Sequence, residues 1–228
     1  MTTMQLTRLS TPAQRAAGAR SALYGCLARA LAFPTPQLVE EAASGRLRGE
    51  IEVRASLLPF RFMPTEHEES ALADPSLTYE EVEREYIRLF EVGAGRPPCP
   101  LYEGYHRSGR MKLMEETVRF YEHFGLRTHP GDQPDHLCAQ LEFMHYLAFK
   151  EAAALLSGGP TAGLVNAQRD FLSRHLCRWL PLVRARAEDC GALPFYRAFL
   201  LLAERFCAAD LGACNERGAK PDRKSGLA

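Results

Sequence analysis

The chain has 228 residues, of which 46% are hydrophobic, and its 28 lysines and arginines balance 28 aspartates and glutamates. A formal net charge of zero gives no general attraction to nucleic acid, and no apolar stretch approaches the roughly 20 residues that a membrane-spanning helix needs. Arg15, Arg20 and Arg29 interrupt the first apolar stretch. No signal peptide is therefore predicted, and the sequence favours a cytoplasmic protein without stable membrane insertion.

The first third of the sequence predicts helices that prolines delimit. Residues Thr11–Gln14 form a capping box with proline at the first helical position, and Pro34 ends the helix that this box begins. Thr35 begins a second, short helix, and a third is predicted over about residues 51–60. Residues 61–77 contain two prolines and an acidic cluster, which is typical of a connector.

Helical patterns continue through the middle of the chain. Thr78 and Glu81 form another capping box, and the apolar residues that follow it share one helix face. These residues are Val82, Tyr86, Leu89 and Phe90. After a loop rich in proline and glycine, a further helix is predicted to end near Gly125. Its apolar face is formed by Met111, Met114, Val118 and Tyr121.

The last third predicts three more helices and a tail. The first is entered through Pro134, with Asp132 or Gln133 as its cap, and the others cover about residues 162–180 and 194–211. No segment alternates as a strand would. The sequence therefore predicts an all-α fold, a single globular bundle of about eight to ten helices over residues 8–212, followed by a disordered polar tail at residues 213–228.

The cysteines argue against a covalent framework. There are seven, an odd number, and no two have the Cys-x-x-Cys spacing. A disulfide framework or a zinc knuckle is therefore not expected, and the cysteines are interpreted as small buried apolar residues. Cys99 is the candidate for exposure because it lies in a loop.

Three pieces of this sequence resemble the TorD/DmsD/NarJ family of redox-enzyme maturation chaperones. They are Leu89-Phe90 at a helix end, the proline-rich loop that ends in Leu101-Tyr102-Glu103, and Pro134-Asp135-His136-Leu137 before Leu141-Glu142-Phe143-Met144. The resemblance implies a TorD-like chaperone that binds the apo catalytic subunit of an exported molybdoenzyme of the DMSO reductase family. It also implies binding of that subunit's twin-arginine signal peptide and help with cofactor insertion before export. The chaperone would be a monomer or a homodimer.

The same resemblance places the docking site for the signal peptide at the family's motif positions. Asp135 and His136 are implicated in docking, and a guanidinium group is well matched by a carboxylate that accepts two parallel hydrogen bonds. The predicted binding residues are Glu85, Leu101, Tyr102, Glu103, Pro134, Asp135, His136 and Leu137. The residues alone leave another interpretation open, in which Asp135 only stabilises the exposed first turn of its own helix.

A competing class is a metal-dependent oxidoreductase. Glu103 with His106, and Glu142 with His145, have the Glu-x-x-His spacing of di-iron carboxylate bundles, which Glu85 and Glu116 would complete. Signatures of nucleotide binding and of a nucleophile elbow are missing. We therefore expect a binding protein rather than an enzyme, with no catalytic residues, no metal ligands and no cofactor of its own.

Overall fold

The computed structural model describes residues 9–128, 131 and 133–218, and it confirms the all-α class. The first half forms α1 (Pro12–Leu31), α2 (Pro36–Ala43), α3 (Arg46–Ala55), α4 (Glu66–Leu72) and α5 (Tyr79–Tyr86), and a π-helical turn, Ile87–Glu91, continues α5. The second half forms α6 (Glu103–His106), α7 (Arg110–His123), α8 (Leu137–Ser157), α9 (Ala162–Phe171), α10 (Cys177–Asp189) and α11 (Pro194–Gly218). A second π turn, Leu172–Leu176, joins α9 to α10. The described residues thus form ten continuous helical segments, as the sequence predicted.

The core lies where α1 and α8 pack along each other and where α11 packs on α10. The start of α1 follows from the predicted capping box, since the Thr11 hydroxyl accepts from the Gln14 backbone N–H at 3.2 Å and the Gln14 side chain accepts from the Thr11 N–H at 3.1 Å. Buried apolar residues of both helices, such as Leu27 and Leu141, belong to one continuous cluster. Burying a side chain of this size contributes about 1.5–3 kcal/mol.

A buried ion network fastens four helices together. The Arg20 side chain on α1 donates to Glu151 on α8 at 2.6 Å, to Gln168 on α9 at 2.5 Å and to Asp210 on α11 at 3.3 Å. The Tyr24 hydroxyl also donates to Asp210, at 2.9 Å. Arg20 is 1% exposed, so its charge depends on these partners rather than on water.

Two elements of the first third differ from the prediction. The third helix spans Arg46–Ala55 rather than residues 51–60, because Leu47, Ile51 and Ala55, spaced four apart, are the residues that it buries. The predicted connector at residues 61–77 contains α4, which begins at a complete capping box of Thr65 with Glu68.

Helix α7 also presents a different face from the predicted one. Its buried residues are Leu113, Thr117 and Tyr121, whereas Met111 is 79% exposed. The predicted apolar stripe is therefore wrong at its first residue. The buried face is centred on Thr117, which can lie there because its hydroxyl donates to the Leu113 carbonyl at 2.9 Å.

The C-terminal boundary lies later than predicted. Helix α11 continues to Gly218, with Cys214 fully buried and the Arg217 side chain 2.7 Å from Glu151. Residues 213–218 are thus helical, because both contacts hold them to the bundle. The remaining residues of the predicted tail, 219–228, lie outside the described residues.

Cys99 is fully buried, and its thiol donates to the Val183 carbonyl at 3.5 Å. The expectation that Cys99 could be exposed because it lies in a loop is therefore wrong. Among the helices of the described residues, none combines the length and apolar character that a membrane crossing requires.

Candidate functional site

The loops that precede α6 and α8 pair with each other. Tyr102 and His136 form an isolated antiparallel β-bridge, and the Glu103 backbone N–H donates to the Asp135 carbonyl at 3.0 Å. The structure therefore brings together the two motif segments that the sequence analysis selected from separate parts of the chain.

Three of the predicted residues anchor these loops to the core. The Leu137 N–H donates to the Leu101 carbonyl at 2.8 Å, and both side chains are buried. Pro134 is also buried, and its carbonyl accepts from the Tyr121 hydroxyl at 2.9 Å. Their side chains thus support the pair of loops from within and leave little surface for a partner.

Asp135 is fully buried, which contradicts its expected place in an exposed first turn. Helix α8 begins at Leu137 with His136 as N-cap, so neither Pro134 nor Gln133 starts it, and Asp132 lies outside the described residues. The Asp135 carboxylate instead accepts from the Gly104 N–H at the start of α6, at 3.0 Å. Its second oxygen has no hydrogen-bond partner among the described residues.

Glu103 is the centre of a buried hydrogen-bond network. Its carboxylate accepts from Gln140 at 2.7 Å and from His175 at 2.8 Å, and it pairs with Arg107. The Trp179 indole in turn donates to Gln140 at 2.9 Å. Burial by itself would raise the pKa of Glu103, but the hydrogen bonds and the charges of His175 and Arg107 outweigh burial and lower it. Glu103 is therefore an ionised group whose partners come from inside the protein.

Tyr102 and His136 are the predicted residues that keep part of their surface open, since both are half-buried. The His136 Nδ1 accepts from the Cys138 N–H at 3.2 Å, and the His136 ring lies 4.8 Å from that of Tyr102, edge to face. Burial lowers the pKa of His136 to about 4, so its imidazole is neutral at pH 7. The Tyr105 ring lies 6.0 Å from Tyr102, and the Arg110 guanidinium lies 4.9 Å above Tyr105.

Glu85 belongs to a different part of the structure. It is buried, and its carboxylate accepts from Arg88 at 2.7 and 2.8 Å and from the Leu193 N–H at 2.9 Å. It thus joins the end of α5 to the turn before α11. This contact was missed because only the ion pair with Arg88 can be inferred from a spacing of three residues.

Sequence reasoning also missed the exposed groups that accompany Tyr102. Four large hydrophobic side chains on the first π turn, beside the end of α5 or on α6 are between 38% and 63% exposed. They are Phe33, Ile87, Val92 and Tyr105. Glu91, at the end of the first π turn, is exposed as well. The Cys99 N–H, three residues before Tyr102, donates to the Leu89 carbonyl of this turn at 2.8 Å, so the loop that carries Tyr102 packs against the turn that carries Glu91. Burial, and then the negative charges of Glu91 and Asp135, raise the pKa of Tyr102. We call Tyr102, Tyr105, His136, Glu91 and Val92 the bridge surface.

Elsewhere on the protein, an open groove of about 700 Å³ lies between α7 and α9. Phe120, Phe124 and Ala167 supply its apolar lining. Charges on its rim pair with each other, as Arg174 does with Glu116 at 2.9 Å. None of the residues that the sequence analysis selected for docking lines this groove.

Both loops of the bridge lie in a part of the chain that matches a known protein family. Residues 63–185 match the family described as "Nitrate reductase delta subunit", and this match spans both loops of the bridge and more than half of the chain. The chain belongs to the TorD/NarJ family. The resemblance of its motif residues is thereby confirmed.

Several similar proteins are named as assembly chaperones of reductases. The "Perchlorate reductase assembly chaperone protein" of Dechloromonas aromatica (strain RCB) is 38% identical over 201 residues, which cover 85% of this chain and 88% of the relative. The "Selenate reductase assembly chaperone protein" of Thauera selenatis and the "Chlorate reductase assembly chaperone protein" of Ideonella dechloratans are each 44% identical over 124 residues, 53% of this chain. Those two alignments span 64% of the relatives' own length.

The side chains nominated as ligands of a di-iron site bind different parts of the protein in this TorD/NarJ member. Glu103 is enclosed by its network, while the His106 ring donates to the Pro100 carbonyl at 2.7 Å. The His145 ring lies 2.7 Å from the Ser21 carbonyl on α1. Within the part of the chain that the structure describes, no three side chains of His, Cys, Asp or Glu are grouped as metal ligands, so the donor set does not fit a di-iron centre.

His136 is expected to make stability depend on pH. Its folded-state pKa of about 4 lies below the ordinary value of about 6.5, so between these values only the unfolded chain binds the proton. The contribution of His136 to the free energy of unfolding should therefore be complete above about pH 6.5. It should fall by about 1–3 kcal/mol as the pH decreases to about 4. Urea unfolding at a series of pH values measures this loss. His136→Asn keeps a capping side chain and should flatten the curve in that range, whereas an unchanged curve would assign the loss to other groups.

Proposed function

We propose that this chain is an assembly chaperone for the catalytic subunit of an exported molybdoenzyme of the DMSO reductase family. It would hold the apo subunit and its twin-arginine signal peptide in the cytoplasm, and assist cofactor insertion before export. The observation that carries the proposal is the similarity to the perchlorate reductase chaperone of Dechloromonas aromatica, which extends over 85% of this chain and 88% of that protein.

Binding rather than bond-making fits the groups that the site contains. Tyr102 and His136 offer aromatic faces, and His136 is uncharged at neutral pH. Asp135 and Glu103 are buried and already engaged, so in this proposal they hold the bridge surface in shape for a partner. A rigid, preformed surface binds more tightly because less conformational entropy is lost on binding.

The client's signal peptide is the natural probe of this function. A labelled synthetic peptide with two arginines followed by an apolar stretch should bind the full chain saturably. The same peptide with both arginines replaced by glutamine should bind more weakly, since each charge-assisted hydrogen bond contributes about 1.5–3 kcal/mol. Equal affinity for the two peptides, or no binding to either, would overturn the proposal.

Removing the aromatic side chain of the bridge should weaken that binding. Tyr102→Ala is expected to cost about 1–3 kcal/mol of binding free energy, because aromatic anchors carry much of the energy of such surfaces. Tyr146→Ala is the matched control, a half-buried tyrosine on α8 whose hydroxyl donates to the Phe124 carbonyl at 3.3 Å. Fluorescence anisotropy of the labelled peptide measures both variants. Similar losses in the two variants would mean that the peptide does not dock at the bridge surface.

A further inference from the structure

We propose that Glu91 is the carboxylate through which the bridge surface binds a guanidinium group of an arginine-bearing peptide. This inference rests on the proposed function and names a residue that the motif positions do not include. In this inference the peptide's arginine binds Glu91, on the first π turn, and not Asp135 or Glu103.

The carboxylates selected from the sequence are buried, so an incoming guanidinium group cannot reach them without displacing the structure around them. Asp135 and Glu103 are each 0% exposed and Glu85 is 9% exposed. The Glu103 carboxylate has donors from three side chains, and that of Glu85 has two hydrogen bonds from Arg88 and one from a backbone N–H. Taking any of them from its partners to meet an incoming cation would leave buried groups unpaired, at a cost of several kcal/mol.

Glu91, in contrast, is neither buried nor paired with a neighbouring cation of the described residues. It is exposed, and it forms no ion pair with any other residue that the structure describes. The segment that carries it is held in place, because the Val92 N–H donates to the Ile87 carbonyl at 2.9 Å and closes the π turn.

Glu91 lies among exposed apolar and aromatic side chains. Apolar surface flanks Glu91 along the chain, since Ile87 is 38% exposed and Val92 is 63% exposed. Phe33, 49% exposed, packs edge to face on Tyr86 with ring centroids 5.3 Å apart. The Cys99 N–H donates to the Leu89 carbonyl of the first π turn at 2.8 Å, so the loop that leads to Tyr102 packs against the turn that carries Glu91.

The combination fits one kind of occupant. A free carboxylate beside apolar and aromatic side chains complements a peptide that carries an arginine next to an apolar stretch. Arginine suits this place better than lysine, because its planar guanidinium can form two parallel hydrogen bonds to one carboxylate and stack on an aromatic face. A neutral or acidic peptide would gain nothing from Glu91.

The test is titration of the labelled twin-arginine peptide into the full-length wild-type chain, Glu91→Gln and Glu80→Gln. Glu80 is also exposed and lies at the start of α5. Glu91→Gln should raise the Kd about tenfold, the range for losing a hydrogen bond to a charged group, and Glu80→Gln should leave the Kd unchanged. With the peptide in which both arginines are glutamine, the wild type and Glu91→Gln should bind with the same Kd, since that peptide has no guanidinium group for Glu91 to bind.

The outcomes separate this inference from the function on which it rests. If the wild type fails to bind the peptide, the proposed function is wrong. If the wild type binds and Glu91→Gln binds equally well, the function stands and the assignment of Glu91 is wrong. If Glu91→Gln and Glu80→Gln weaken binding by the same factor, the effect is one of overall charge, and the assignment is wrong in that case too.

Discussion

Glu103→Ala is expected to lower the free energy of unfolding by about 3–5 kcal/mol, the range for removing one partner of a buried charged pair. The change leaves His175, Gln140 and Arg107 without the carboxylate that they share. Urea unfolding at pH 7, followed by far-ultraviolet circular dichroism, measures the loss. Because the folded-state pKa of Glu103 is lowered, the wild-type advantage should be present above the ordinary pKa of a glutamate and vanish as the pH falls through the folded value.

Glu115→Ala is the matched control for this prediction. Glu115 pairs with Arg119 at 2.5 Å with the same spacing of four residues that joins Glu103 to Arg107, but its side chain is 62% exposed. An exposed pair of this kind contributes about 0.3–0.5 kcal/mol. Equal losses in the two variants would show that the buried network around Glu103 adds nothing beyond a surface ion pair.

Arg20→Ala should be similarly severe, at about 3–5 kcal/mol. It removes the cation that faces Glu151 and Asp210, whose side chains are 5% and 0% exposed. Arg217 lies 2.7 Å from Glu151 and 3.7 Å from Asp210, so part of the negative charge stays compensated. A drop in the thermal midpoint, compared with the wild type at the same pH and salt, reports the effect.

Arg29→Ala provides the comparison for Arg20 on the same helix. Arg29 pairs with Glu41 at 2.5 Å, but its side chain is 40% exposed. Its replacement should cost less than about 1 kcal/mol. If Arg20→Ala were no more harmful than Arg29→Ala, the interpretation of the four-helix ion network as a structural fastening would be wrong.

The local part of the fold was predictable because its causes lie within a few residues of each other. Thr11 with Gln14 and Thr78 with Glu81 form the capping boxes that their spacing predicted. The same logic would have found α4 from Thr65 and Glu68, but α4 has only seven residues, and neighbouring prolines and acidic residues made the segment resemble a connector. A helix so short depends on packing contacts rather than on its own propensity.

The candidate site was predictable only in part. Its motif residues were found, and the bridge between Tyr102 and His136 brings them together. Their burial was not predictable, because the groups that enclose Glu103 come from helices far along the chain, including His175 on the second π turn. No local pattern showed that the Asp135 carboxylate would accept a hydrogen bond from the backbone of α6 and not from that of α8.

Trp179 gives this architecture an internal optical reporter. It is the single tryptophan of the chain, it is fully buried, and its indole N–H donates to Gln140, which donates in turn to Glu103. The His106 ring also stacks on it, with centroids 5.6 Å apart. Tryptophan emission from this protein therefore arises from one indole, joined by two hydrogen bonds to the residue after Tyr102. We therefore expect the arrival of an unlabelled peptide that lacks tryptophan at the bridge to change that emission, so that no dye is needed on either molecule.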